Sequence, residues 1–300
     1  MFAGRFAPSR SHLEEGLALY DPISHLSLVR QAAVHPQVVL REQLAFVLFC
    51  LGYPRQASAQ SDAALTEARS LAHPPSLALS FEFGTRLLSL AGEAAALKER
   101  TEQLLANAIG QGFPHWRVVG TIYLGWVKVR DGDVNGGIAL LRNAVSAYRA
   151  AGAKVWVPHF IALMARACAI QGNIEEALTL LDDALQIAER TGERWCVAEL
   201  NRHKGQLMLR RGHAEAGEEF YRKALSIAGE QGAKLWELRA AVSLARLRRD
   251  QGRRSEAHDL LAPVYGWFTE GFGTPDLKDA KALLNELGGA RHSGAAGRSI

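Results

Sequence analysis

The chain has 300 residues, 48% of them hydrophobic, enough apolar surface to build a core and too much for a disordered tail. Its 35 Lys and Arg against 31 Asp and Glu leave a net charge of +4, too mild to imply nucleic acid or an anionic membrane without a local cluster. Three isolated cysteines, no apolar run near the roughly 20 residues of a membrane helix and no apolar leader exclude a disulfide scaffold, a membrane span and a secretory signal, and point to a cytoplasmic protein.

In chain order, Ser11 to Tyr20 reads as one short helix, with Leu13, Leu17, Ala18 and Tyr20 apolar and Asp21-Pro22 ending it. Nothing upstream pairs with it. Residues 1–36 are therefore read as a half-repeat and connection whose apolar edge implies an upstream polypeptide, a partner or a second copy. From residue 37 to 273 the chain repeats itself. Gly52, Gly92, Gly132, Gly172, Gly212 and Gly252 are spaced by 40 residues, and Gly112, Gly152, Gly192 and Gly232 keep the same step, with Trp116, Trp156, Trp195 and Trp236 just after them. Two glycine breaks per period, with apolar residues at helical spacing between, predict two helices per repeat and about six repeats. The tryptophans are read as packing between repeats.

Small residues mark where the two helices cross. Seven before each first-series glycine stand Ala45, Thr85, Gly125, Ala165, Gly205 and Ala245; five after it stand Ala57, Leu97, Gly137, Ala177, Gly217 and Ala257. Twelve after it, Ala64, Ala144, Ala184 and Ala224 continue the pattern. Helix axes approach to about 8–10 Å only where nothing bulky intervenes. The second repeat departs from this with Leu97 and Leu104 and is expected to be splayed or irregular. The array ends at Thr274-Pro275-Asp276, an N-cap followed by a proline and an acid. Leu277, Ala280, Leu283, Leu284 and Leu287 then form a stripe that Gly288-Gly289 is expected to stop. Residues 274–289 are thus a capping helix, and residues 290–300 are expected to be a disordered tail.

This pattern resembles the tetratricopeptide repeat, although that family's usual period is 34 and not 40. The resemblance implies an all-α solenoid of stacked antiparallel helix pairs in a right-handed superhelix, closed by the C-terminal helix. A narrower resemblance rests on Tyr20-Asp21-Pro22 with His25, Leu51-Gly52-Tyr53-Pro54, Gly112-Phe113-Pro114, Thr191-Gly192-Glu193-Arg194-Trp195 and Leu260 to Phe272. These stretches are similar to the C-terminal repeat region of bacterial regulators that join an adenylate or guanylate cyclase to a signalling ATPase. Gln31 to Pro36 does not match the loop expected there. The resemblance implies a regulatory interaction module in signal transduction; the alternative is a fragment or split partner of such a cyclase or ATPase.

No catalytic or cofactor signature is found: Gly-Lys-Ser/Thr, HExxH, GxSxG and CxxC are all missing, so no enzyme, cofactor or metal is expected. Asp131-Gly132-Asp133-Val134-Asn135-Gly136 opens like a calcium loop, but Arg142 occupies the position of the bidentate glutamate. His159 and His203 are read as surface or groove residues. If tetratricopeptide geometry holds, the first helix of each pair lines a concave groove through positions 13, 10, 6 and 3 before the turn glycine. That places Phe46, Arg86, Trp126, Arg166, Arg202, Gln206, Arg239, Arg246 and Arg249 in the lining, with fewer acids, Glu42, Glu82 and Glu199. Arginine forks grip carboxylates in a bidentate manner, so the expected partner is a protein or peptide, acidic or offering its C-terminal carboxylate, and neither a membrane nor nucleic acid.

Overall fold

A computed structural model describes residues 1–21 and 33–293. Among them there are fourteen helices and no strand: α1 Phe6–Leu19, α2 Pro36–Cys50, α3 Pro54–Ser70, α4 Pro74–Ala91, α5 Ala94–Gly110, α6 Pro114–Arg130, α7 Val134–Ala150, α8 Val157–Gln171, α9 Ile174–Thr191, α10 Val197–Arg210, α11 Ala214–Gln231, α12 Lys234–Asp250, α13 Arg254–Gly266 and α14 Pro275–Ser293. The chain divides into two compact units. The first comprises Met1–Phe49 and Pro54–Cys196; the second comprises Cys50–Tyr53 and the chain from Val197 onward.

The evenly spaced glycines explain the hairpins. All ten have positive φ, from 62° at Gly232 to 100° at Gly132, a backbone region that only glycine enters without steric cost. At Gly172 the chain closes a helix C-terminus: Gly172 N–H donates to Ala169 O and Asn173 N–H to Cys168 O, and the next helix starts at once. The bend that would precede Gly112 by one period holds Ala72 in the same left-handed region, at φ 47°.

Within each unit, first helices lie side by side as α4·α6, α6·α8, α10·α12 and α12·α14, and each but the capping α14 pairs with its own second helix. The crossings are as close as the small-residue columns require. A Cβ added to Gly137 would lie 2.6 Å from Gly125 O, and one on Gly205 would lie 2.8 Å from the Tyr221 ring. The second repeat is not splayed. Leu97 and Leu104 are fully buried, and the small residue has moved to the next first helix, where Gly120 faces Leu104 and Leu105.

The ends differ from expectation. Helix α1 begins at Phe6, five residues before Ser11, because Phe6 is buried with Leu13 in the first unit. Helix α14 runs through Gly288 and Gly289 to Ser293, so the first residues of the expected tail are helical. The glycines do not stop it because neither takes a positive φ. Thr274 does start the helix, but its hydroxyl donates to Gly271 O (2.7 Å). Pro22, His25, Gln31, Ala32 and residues 294–300 lie outside the described residues.

Candidate functional site

In the first unit the first helices converge on an aromatic centre. Phe46 of α2 meets Trp156 and Trp195 edge-on at ring-centroid distances of 5.2 and 4.9 Å; Trp156 and Trp195 lie 5.2 Å apart, and Phe83 of α4 reaches Trp156 at 6.1 Å. The Arg86 guanidinium lies 3.6 Å from the Trp156 ring centroid, fully buried. Burying a guanidinium is costly unless it is paired. Glu82, one turn earlier, accepts from its Nη2 at 2.5 Å and also takes the Trp116 indole N–H at 3.0 Å. The Arg86 Nε finds no hydrogen-bond partner.

Two further groups fix this centre. Glu193 accepts the Trp156 backbone N–H on both oxygens (2.9 and 3.0 Å) and the Trp195 indole N–H (2.9 Å). Trp156 itself has φ 68°, a strained value for a bulky residue, held at the very N-terminus of α8. His159 lies between Tyr123 and Trp195. It is buried and not a surface residue, and burial, reinforced by Arg86 and Arg166, lowers its pKa to about 3. Nearby in the same unit, burial lifts the Glu42 pKa to about 8 against hydrogen bonds from Ser80 and Ser61, so this carboxyl is largely protonated at neutral pH.

The second unit lines its first helices with charge. Glu199 of α10 accepts both Arg202 (2.6 Å) and Arg239 of α12 (3.2 Å), and Arg239 continues to Asp276 at the start of α14 (2.7 Å). Burial pushes the Glu199 pKa up, but the Arg202 and Arg239 guanidiniums outweigh it and hold the carboxyl well below the usual range. Along the same face Arg246 pairs with Asp279, and Arg249 with Glu286 (2.9 Å) and Asp250 (2.8 Å).

The residues expected to line a groove therefore fall into two sets. Phe46, Arg86 and Trp126 are buried, because the first helices of the first unit close on one another. Arg166 stacks on Trp126 at 4.4 Å and is half-buried, as are Arg202, Arg239 and Arg249; Gln206 and Arg246 are exposed. Reading the sequence alone missed two partners. The acids that meet Arg239, Arg246 and Arg249 are spaced helically on α14 at 276, 279 and 286, a visible signal overshadowed by that helix's apolar stripe. The other is Phe2, whose ring meets Trp156 at 5.1 Å. The apparent calcium loop is a helix start: Asp133 accepts from Gly136 N–H (3.0 Å) and Lys128 (2.8 Å), while Asp131 pairs with Lys98. No cluster of three or more His, Cys, Asp or Glu that could hold a metal occurs among the described residues, and no helix among them is long and apolar enough to cross a membrane.

Comparison with known proteins agrees with this architecture. Residues 159–230 match the tetratricopeptide repeat family, so this is a tetratricopeptide-like region. An uncharacterized protein of Rhizobium meliloti (strain 1021) is 25% identical over 246 residues, 81% of this chain but 24% of that protein, so the chain spans about a quarter of that relative. Among solved structures, NprR in complex with its cognate peptide NprX is similar with a TM-score of 0.62 at 13% identity, covering 96% of this chain and 84% of NprR. The apo form of RapI gives 0.57 at 11% identity over 94% and 99% of the two chains, and a Rap protein complexed with Competence and Sporulation Factor gives 0.54 at 12% over 96% and 86%. At these identities the likeness establishes the fold: an all-α, tetratricopeptide-like stack of helix pairs.

Proposed function

We propose that the chain is a non-catalytic interaction module whose first-helix faces bind a peptide or an extended segment of a partner protein, in a regulatory role. One observation carries this reading: a repeated hairpin scaffold leaves arginine side chains of its first helices open to solvent, in a fold shared with NprR solved with its cognate peptide NprX and with a Rap protein complexed with Competence and Sporulation Factor. Arg166, Arg202, Gln206, Arg246 and Arg249 retain access to solvent. The Arg246–Asp279 pair is exposed and the Arg249–Glu286 pair partly so, and exposed pairs are worth about 0–1 kcal/mol, so a ligand carboxylate exchanges with Arg246 at small cost. An acidic peptide, or a C-terminal carboxylate, is the ligand this chemistry favours.

The module is proposed to work inside a larger cyclase- or ATPase-coupled regulator. Support comes from the relative more than three times its length and from the motifs around Tyr20, Gly112, Gly192 and Leu260. The experiment is selection of a random-peptide display library on the purified chain, with affinities from fluorescence anisotropy. Acidic peptides binding in the micromolar range are expected, weakened about tenfold, some 1.4 kcal/mol, by joint charge reversal of Arg202, Arg246 and Arg249. Failure to enrich any peptide overturns the interaction reading. ATP turnover or cyclic-nucleotide formation above background by the pure chain overturns the non-catalytic one.

A further inference from the structure

The aromatic centre of the first unit is already occupied by a short piece of the chain itself. Met1 to Gly4 forms a turn, with Gly4 N–H donating to Met1 O at 2.9 Å and Gly4 at φ 75°. The Phe2 carbonyl accepts two consecutive backbone N–H groups, from Arg194 (2.7 Å) and Trp195 (3.1 Å), while its ring meets Trp156 edge-on. This is how a binding site grips a short peptide: a main-chain carbonyl fixes position and an aromatic side chain fills a cage.

The turn has its own anchors, separate from those of α1. Gly4 is buried, Met1 and Phe2 are half-buried and Ala3 is exposed, with the Phe2 carbonyl and ring among its main contacts, whereas the anchoring of α1 rests on Phe6, Leu13 and the close approach of Gly16 to Leu40. Residues 1–4 can therefore leave while α1 stays. What they cover is kept at a cost: Trp156 in a left-handed conformation and Arg86 with an unpaired Nε beneath it. Strain and an unsatisfied buried donor in one place mark a site that function retains.

We propose that the Met1–Gly4 turn is a displaceable internal occupant of a peptide site in the first unit. An incoming extended peptide takes its place by setting an aromatic side chain against Trp156 and a main-chain carbonyl on the Arg194 and Trp195 amides. This rests on the interaction reading above and names where the first unit binds and what residue type it selects. A tethered segment competes at an effective concentration in the mM range, so it lowers the apparent affinity of an outside peptide by the fraction of time the site is filled.

The probe is the acetylated, amidated peptide Met-Phe-Ala-Gly-Arg-Phe, titrated into the full chain and into its Phe2→Ala variant, with NMR shifts of the Arg194 and Trp195 amides as readout. At least about tenfold tighter binding to Phe2→Ala than to the unaltered chain is expected, and at least about tenfold weaker binding when the peptide's own second residue is alanine. Equal affinity for both chains, or no binding to either, overturns the assignment. If Phe2→Ala fails to fold, hydrogen exchange on the unaltered chain decides: the two amides should exchange by local opening, faster than the interior of α9 and insensitive to low denaturant. Exchange only through unfolding of the whole unit overturns the proposal. Library peptides that bind both chains alike remove the displaceable turn and leave the interaction reading standing; a library that enriches nothing removes the interaction reading itself.

Discussion

The two units are built from the same hairpin and held together by different forces. In the first, the first helices close on an aromatic centre that buries one guanidinium and one neutral histidine, and elsewhere in the unit the buried Glu42 carboxyl is largely protonated. In the second, they carry a ladder of alternating charge from Glu199 through Arg239 to Asp276, and the Glu199 carboxyl stays ionised. The hairpin geometry is fixed by small residues at the crossings, which leaves the first-helix positions free to vary between apolar and ionic chemistry. A repeat fold thus sets where a face lies without setting what that face is made of.

The largest effect that separates the units is removal of the central guanidinium of the ladder. Arg239→Ala strands Asp276 and leaves Glu199 with Arg202 as its remaining guanidinium, both carboxylates being more than four-fifths buried at the side chain, and should cost about 3 kcal/mol. Hydrogen exchange resolved by peptide should show that loss in α10, α12 and α14 and leave α2 to α8 unchanged. Equal loss in both units would mean that they do not differ in the way described.

The counterpart in the first unit is Trp156→Ala, which empties the centre and should cost about 3 kcal/mol there. Glycine at the same position should be about 1 kcal/mol better than alanine, since it takes φ 68° without strain. Denaturant midpoints for the two variants check this. Alanine equal to or better than glycine would show that the left-handed backbone at Trp156 stores no strain.

The sequence makes the scaffold legible and the glue only partly so. Glycines at a 40-residue step are visible because no other residue relaxes into the bend, and Gly125 with Gly137 is visible because two backbones cannot otherwise touch. Arg239, Arg246 and Arg249 are visible as a basic row, yet their acids lie some 30–40 positions further on, and pairing over that distance depends on how one helix lies beside the next. Arg86 reads as a lining residue because position in a repeat gives the direction of a side chain, not whether the opposite wall closes over it. Phe2 and Phe6, four apart ahead of a helical pattern, are the one trace of the N-terminal turn. Nothing in the sequence marks Trp156 for a left-handed backbone.

A titration sharpens the contrast further. The Glu42 pKa of about 8 stands above its ordinary 4.5, so the stability it confers is full below pH 4.5 and is lost as pH rises through 8. The Glu199 pKa is depressed, so its contribution is present above the ordinary value and lost as pH falls. His159, lowered from 6.5 to about 3, acts only below pH 6.5, where charging it weakens the first unit. Between pH 6.5 and 8 only the first unit should soften through these groups, by up to about 2 kcal/mol at 1.36 kcal/mol per pH unit. Glu42→Gln, which removes the charge and keeps one oxygen to accept from a serine while its amide NH2 donates to the other, should abolish that slope. A slope that persists in Glu42→Gln assigns the effect to another group.

The smallest effect concerns the bends that the units share. In the first unit Ala72 occupies a left-handed bend that glycine fills at Gly112 and Gly152, and at Gly232 in the second unit. A non-glycine residue there is strained, and glycine in its place costs unfolded-chain entropy, so the net change is a difference of two terms of similar size. At φ 47° the steric term should win, and Ala72→Gly should stabilise the first unit by about 0.5 kcal/mol. The reciprocal change, Gly232→Ala, meets no atom within 4 Å, so any loss is conformational alone, about 1 kcal/mol in the second unit. Thermal midpoints moving in opposite directions, each read in its own unit, would show one backbone requirement operating under two different interiors. Movement of both in the same direction would show that the bend at Ala72 is not the one the glycines make.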